Sequence, residues 1–185
     1  MPMPGEAVDF IHTNVKAAMD LDDARGATRE WVGVLGFSQG AKLAASLLYT
    51  QQHCLQVLGR EPSHRLPEFR FAGLIAGRSP LIWLDVESEV PRGLIKAGTR
   101  AKNVPTDLQA LPVMERLRTP TLHVHGVKDA GLALHREMLE SAFEEHSVRL
   151  MEWEGAHQVP LKTDDVAALA QAVVSLARRG LGGAE

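Results

Sequence analysis

A short apolar run from Trp31 to Leu35 stops at Gly36, and after Gly36-Phe37-Ser38-Gln39-Gly40 the apolar positions change period, to Ala41, Ala44, Ala45 and Leu48. An unbroken apolar run of that length reads as a strand buried on both faces, and spacing by three and four reads as a helix. A chain that makes this change within a few residues is committed to a strand, a sharp turn and a helix. The alternation recurs. Phe71 to Ala76 is followed by Gly77, Thr121 to Val124 lies between Pro120 and His125-Gly126, and Val148 to Trp153 forms a last run. Helices are predicted over 6–19 on Val8, Ile11, Val15 and Ala18, around Leu134, Met138 and Ala142, and over 163–179 on Val166, Leu169, Val173 and Leu176. Thr163 is expected to cap that last helix, with Asp164 and Asp165 at its positive end, Arg178 and Arg179 at its negative end, and Gly180 to stop it. Strands alternating with helices predict an α/β three-layer sandwich on a mostly parallel sheet.

The 185 residues show no internal repeat and no linker rich in Gly, Ser or Pro, which predicts a single domain over 1–185. One stretch breaks the alternation. Residues 78–112 carry Pro80, Pro91, Gly93, Gly98 and Pro105 around the cluster Leu81-Ile82-Trp83-Leu84, and read either as a lid over the strand ends or as an irregular surface connection. Lys plus Arg number 20 against 23 Asp plus Glu, a formal net charge of -3, so no basic excess exists for nucleic acid or for an anionic membrane surface. No run approaches the ~18 consecutive apolar residues of a membrane helix, and the amino terminus lacks the order of a signal peptide; a cytoplasmic protein is expected. Cys54 is the sole cysteine and reads as an inert, partly buried apolar residue.

The turn at Ser38 is where chemistry is expected. A nucleophile elbow forces its serine into a strained backbone conformation and pushes the hydroxyl out at the sheet edge, so bulky residues two positions to either side are expected to collide. A serine hydroxyl needs a base, and the base an orienting acid. Asp129 follows the strand at 121, His157 follows the strand at 148, and both therefore stand at carboxyl ends of strands, where ligands gather in open α/β sheets. Ser38, Asp129 and His157 are the candidate nucleophile, acid and base. His123 and His125 alternate along a strand and are taken to leave one ring on a given side. With no third convergent ligand they make a poor metal site, so no metal and no cofactor is expected. His123 reads as a satisfied core histidine and His125 as a brace for the Asp129 loop. His12, His53, His64, His135 and His146 are expected to be solvated, as are Asp85 and Asp107.

Gly36-Phe37-Ser38-Gln39-Gly40-Ala41, His123-Val124-His125-Gly126 with Asp129, and Gly155-Ala156-His157-Gln158-Val159-Pro160 together resemble the α/β-hydrolase superfamily, and within it the family of serine hydrolases found in fungi and shared with a human tumour-candidate hydrolase. The run from His125 to Asp129, with Gly131-Leu132 and His135-Arg136 behind it, is similar to the branch encoded in fungal polyketide gene clusters, which includes the thiohydrolase that releases the lovastatin polyketide. The resemblance covers roughly residues 6–178. It implies acyl transfer to water, with the Gln39 amide as one oxyanion donor and no cofactor. Acyl-protein thioesterases share the elbow but usually follow the acid with a Val-Pro-like pair, where this chain has Ala130-Gly131-Leu132.

The pattern also departs from that family. A second oxyanion donor is normally announced by His-Gly near the amino terminus, and nothing of that kind precedes Ser38, so an amino-terminally abbreviated fold with an exposed edge on the nucleophile strand is expected. The leading expectation is a serine esterase or thioesterase acting on a small-molecule acyl ester or thioester, including a carrier-protein-bound polyketide, with Phe37, Leu81, Ile82 and Trp83 lining an apolar acyl pocket. Two alternatives stay open: a catalytically silent module that binds an acyl ligand or a partner, and an acyl-protein thioesterase or lysophospholipase. A homo-oligomer joined through the sheet edge is the expected protein partner.

Overall fold

The computed structural model describes residues 3–105 and 110–182. Asp107 lies outside them. The regular elements, in chain order, are α1 (Pro4–Asp23), β1 (Gly33–Phe37), α2 (Gln39–Gln56), β2 (Phe71–Ile75), β3 (Ile82–Trp83), β4 (Ile95–Lys96), β5 (Thr121–Gly126), α3 (Leu132–Ala142), β6 (Val148–Trp153) and α4 (Thr163–Gly180). β1, β2, β5 and β6 form one sheet in the order β1-β2-β5-β6, every neighbouring pair parallel. The sequence places β1 two residues too early, because the apolar run starts at Trp31 whereas pairing with β2 starts at Gly33.

Side chains alternate between the two faces of this sheet, and each face has its own core. Ala72 and Leu74 of β2 join α2, Met138 and Ala142 of α3, and Val8 of α1 on one side. Phe71 and Ile75 of β2, with Leu122 and Val124 of β5 and Trp153, meet Ala172 and Leu176 of α4 on the other. Glycines let the layers approach. A Cβ on Gly180 would come within 2.6 Å of the Arg70 carbonyl oxygen, so the end of α4 lies directly against the start of β2.

Several terminal details differ from the sequence reading. Thr163 is the first helical residue, not the cap. That position belongs to Lys162, which offers no side-chain acceptor, so α4 begins with only Asp164 and Asp165 to meet its free amides. Val166 is 44% exposed because it precedes the part of α4 that lies over the sheet, and Ala18 is exposed because α1 packs through Val8 and its neighbours. Cys54 is fully rather than partly buried, and burial pushes its thiol up to about 11.

Residues 78–112 contribute to the core. β3 and β4 pair with each other as a small parallel ribbon, and Leu81, Ile82, Trp83 and Leu84 pack with α2. The ribbon hangs on α2 through its polar residues, with Ile82 N–H donating to Ser46 Oγ at 2.9 Å. Asp85, expected in solvent, is 3% exposed. It accepts from Arg60 Nη2 at 2.7 Å and Ser63 N–H at 2.8 Å, and Ser88 Oγ also donates to it. Burial alone would raise this carboxyl, but these hydrogen bonds outweigh it and hold the group well below the usual carboxylate range.

Candidate active site

Ser38 is the hinge between β1 and α2. Its backbone sits at φ 54°, ψ -112°, a strained conformation for a residue with a side chain, and its N–H donates to the Ile75 carbonyl at 2.7 Å across the end of the sheet. The two flanking glycines answer different needs. A Cβ on Gly36 would lie 2.2 Å from the Gly40 carbonyl oxygen, so the turn closes only with glycine there. Gly40, expected to be equally crowded, would place its Cβ in open space. Ser38 makes no side-chain capping bond to α2, which leaves its hydroxyl free. Gln39 is the first residue of α2, so its N–H is one of the helix's unpaired amino-terminal donors beside that hydroxyl.

Asp129 and His157 arrive from β5 and β6 on two turns that are tied together. Val127 N–H donates to the Trp153 carbonyl at 3.0 Å, Lys128 N–H to the Gly155 carbonyl at 2.9 Å, and Asp129 N–H to the Gly126 carbonyl at 3.0 Å. The contact is backbone to backbone, since a Cβ on Gly126 would come within 2.5 Å of the carbonyl oxygens of both Gly155 and Ala156. From these turns His157 Nε2 reaches Ser38 Oγ at 2.9 Å, and its Nδ1 reaches Asp129 Oδ2 at 2.7 Å. The His157 side chain is 36% exposed while that of Asp129 is 1% exposed, so the chain runs from a buried carboxylate to a solvent-facing hydroxyl. The Phe37 ring packs 5.1 Å from the His157 ring, centroid to centroid.

The carboxylate has further donors. Gly131 N–H donates to Asp129 Oδ1 at 2.7 Å, and His135 Nε2 lies 2.8 Å from Oδ2. Burial raises the Asp129 carboxyl, but the bonds from His135, Gly131 and His157 overcome that and hold it well below the usual range. His135, expected in solvent, is fully buried, and it is the residue that sequence reasoning missed. Its place on α3, four residues after Gly131 and on the same face as Met138, was the available signal.

The remaining histidines also depart from expectation. Residues two apart on a strand share a face, so His123 and His125 point to the same side, their rings 6.0 Å apart and both buried. His123 is buried without being satisfied, since its Nε2 has no partner among the described residues. Burial pushes its pKa down to about 3, and burial with the nearby His135 takes His125 to about 4, so both rings are neutral. His125 braces the site by packing, its ring 5.6 Å from that of His135. His12 is also buried, and His53 and His64 are partly so. Only His146 of the five expected in solvent is highly exposed.

Asp129, His135 and His157 bring ligand-type atoms within 4.8 Å of one another. Two ligands on one zinc stand about 3.3 Å apart. Each nitrogen here is instead 2.7 or 2.8 Å from the carboxylate oxygen, which is hydrogen-bond geometry. Of the residues expected to line an acyl pocket, Phe37 abuts His157. Leu81 lines a cavity of about 340 Å³ with Pro80, Leu111, Leu134 and Glu137. Ile82 and Trp83 are 9% and 3% exposed and packed on α2, so their side chains belong to the core.

A parallel sheet between helical layers, with a serine elbow at the end of β1, defines an α/β-hydrolase fold. The maize acyl-protein thioesterase 2 crystal structure superposes with a TM-score of 0.52 at 16% identity, over 95% of this chain and 67% of that one, which speaks to fold alone. Residues 4–169 match the family described as Serine hydrolase (FSH1), and the chain belongs to that family. It is 49% identical over 183 residues to Esterase dbaE of Emericella nidulans and 47% identical over 177 residues to Esterase pigG of Monascus ruber. In each case it spans 94% of its own length and 64% of the relative's. Among the described residues no helix is long and apolar enough to cross a membrane.

Proposed function

We propose that this protein is a serine hydrolase that cleaves an ester or thioester through an acyl-Ser38 intermediate. The observation that carries this reading is the unbroken chain of contacts from Ser38 Oγ through both nitrogens of His157 to Asp129. In the first step Ser38 Oγ bonds to the acyl carbon while its proton passes to His157 Nε2. Asp129 holds the ring by its other nitrogen and stabilises the charge that forms. The tetrahedral carbon expels an alcohol or thiol, which takes the proton from His157. Water then attacks the acyl-serine, giving its proton to His157, and the collapse releases a carboxylic acid and restores Ser38. The Gln39 N–H is one donor to the oxyanion of both tetrahedral states, a role worth about 3–4 kcal/mol where it has been tested.

The substrate class is a small-molecule acyl ester or thioester, and the esterase names of the fungal relatives support it. A polyketide acyl chain, free or on a carrier protein, is the finer reading, resting on the resemblance of the Asp129 and His135 region to the polyketide-cluster branch. Phe37, whose ring abuts that of His157, is the proposed acyl contact. β1 pairs on one side only among the described residues, and Leu35 is 54% exposed on it, which supports a second copy of the chain as a partner along that edge.

A fluorophosphonate probe tests the reading directly. One equivalent should attach to the wild-type protein and none to Ser38→Ala. A folded wild-type protein that remains unlabelled would overturn the enzyme reading in favour of a silent acyl-binding module.

A further inference from the structure

Asp129 Oδ2 accepts from two histidines, and the second of them has no part in the three-residue chain just described. His135 Nε2 lies 2.8 Å from that oxygen, and its Nδ1 lies 2.8 Å from the carbonyl oxygen of Gly77. Both partners are acceptors only. A neutral imidazole carries one N–H and would turn a lone pair toward the other acceptor, whereas the doubly protonated ring satisfies both. The ring is fully buried, so no water replaces a missing bond.

We propose that His135 is a positioning residue, a doubly protonated clamp that ties the Asp129 carboxylate to the end of β2. This inference rests on the proposed roles of Ser38, His157 and Asp129. The anchor matters because Gly77 follows the strand whose Ile75 carbonyl also receives the Ser38 N–H. One strand end thus sets the place of the acid, through His135, and of the nucleophile, through its own backbone. A Cβ on Gly77 would come within 2.9 Å of Met138 Sδ and 3.2 Å of the Ala41 Cβ, so α2 and α3 leave this strand end little freedom.

The surroundings fit a charge that is balanced locally. From β5 the neutral His125 faces the ring at 5.6 Å, and from the turn after β6 His157 stacks at 6.0 Å. The Arg78 guanidinium lies against Gly131, and on α3 itself Arg136 is already paired with Glu152 at 2.7 Å. Asp129 is the carboxylate in contact with His135. The clamp offsets part of the negative charge that Asp129 offers to His157, so removing it strengthens the hold of Asp129 on a protonated His157.

The test has a spectroscopic arm and a kinetic arm, both on the full chain. In the ¹⁵N-edited spectrum of the wild-type protein at pH 7, His135 should show two ring N–H signals; a single one overturns the proposal whether or not the protein is an enzyme. In His135→Gln, kcat toward a p-nitrophenyl ester should fall about 10- to 100-fold with KM little changed. The acid limb of the kcat/KM profile should move to higher pH. A loss of rate with that limb unmoved would mean a merely structural role and would also overturn the proposal. If His135→Gln does not fold, the spectrum alone decides. If the wild-type protein fails to react with the fluorophosphonate probe, the enzyme reading falls and the two-signal test of the clamp stands.

Discussion

The two ends of the candidate site are held in opposite ways. On the β5 and β6 side, Asp129 follows a strand whose six residues are all buried, and its turn is stitched by backbone hydrogen bonds to that of His157, which follows the other edge strand. On the β1 side, Ser38 stands on an edge strand, with Leu35 54% exposed and Phe37 37% exposed. The acid is immobilised by burial and by three donors. The serine is held by the turn itself: the closure of Gly36 on Gly40, its N–H on the Ile75 carbonyl, and its own carbonyl accepting from Lys42 N–H in the first turn of α2. Redundant tethering on one side and a single strained turn on the other predict different sensitivities to substitution.

The largest effect should come from the stitched side. Asp129→Asn keeps the shape but leaves His157 and the buried His135 without their ionised partner, so kcat for ester hydrolysis should drop on the order of 10⁴-fold and the urea midpoint should fall as well. A loss below tenfold would mean that the carboxylate does not orient the base. On the β1 side, Gly36→Val should cost at least about 3 kcal/mol, because the added carbons meet backbone that cannot move aside. Gly40→Ala, in the same five residues, should stabilise by about 0.5–1 kcal/mol, since it fills open space in the first turn of a helix. Equal effects at the two glycines would remove the geometric account of the elbow.

A smaller effect tests the burial of β5. His123 is held neutral with a pKa near 3 against an ordinary value of 6.5, so between these values the unfolded chain binds the extra proton. Stability is therefore lost as pH falls below about 6.5. His123→Leu removes both that liability and an unpartnered nitrogen; read from urea midpoints, its gain should be about 2 kcal/mol larger at pH 5 than at pH 7. A gain independent of pH would show that the ring is not buried neutral. The smallest effect belongs to the open edge. Leu35→Glu should change the monomer's stability by no more than about 0.5 kcal/mol, while sedimentation should show weaker self-association if copies meet along β1.

How much of this was legible beforehand varies by element. β6 was readable to the residue, and the order of the four sheet strands and the four helices followed from their periods, whereas β3 and β4 lay hidden in the stretch read as a lid or an irregular connection. Ser38 stood out because its Gly-x-Ser-x-Gly lies directly between an apolar strand run and a run of helical period. His135 did not stand out. Its bond to Gly77 spans 58 residues, and nothing on α3 records what lies opposite its inner face. The fate of Leu81 to Leu84 was equally hidden, because an apolar cluster reads the same whether it opens onto a ligand or packs on α2.

The sequence alone determined the alternation of layers, the elbow and the positions of Asp129 and His157 at strand ends, because each is written in local periodicity and in the backbone demands of neighbouring residues. Only the tertiary structure decided which histidines are wrapped in protein and which acceptors they meet, since burial and hydrogen-bond satisfaction depend on segments brought together from far along the chain.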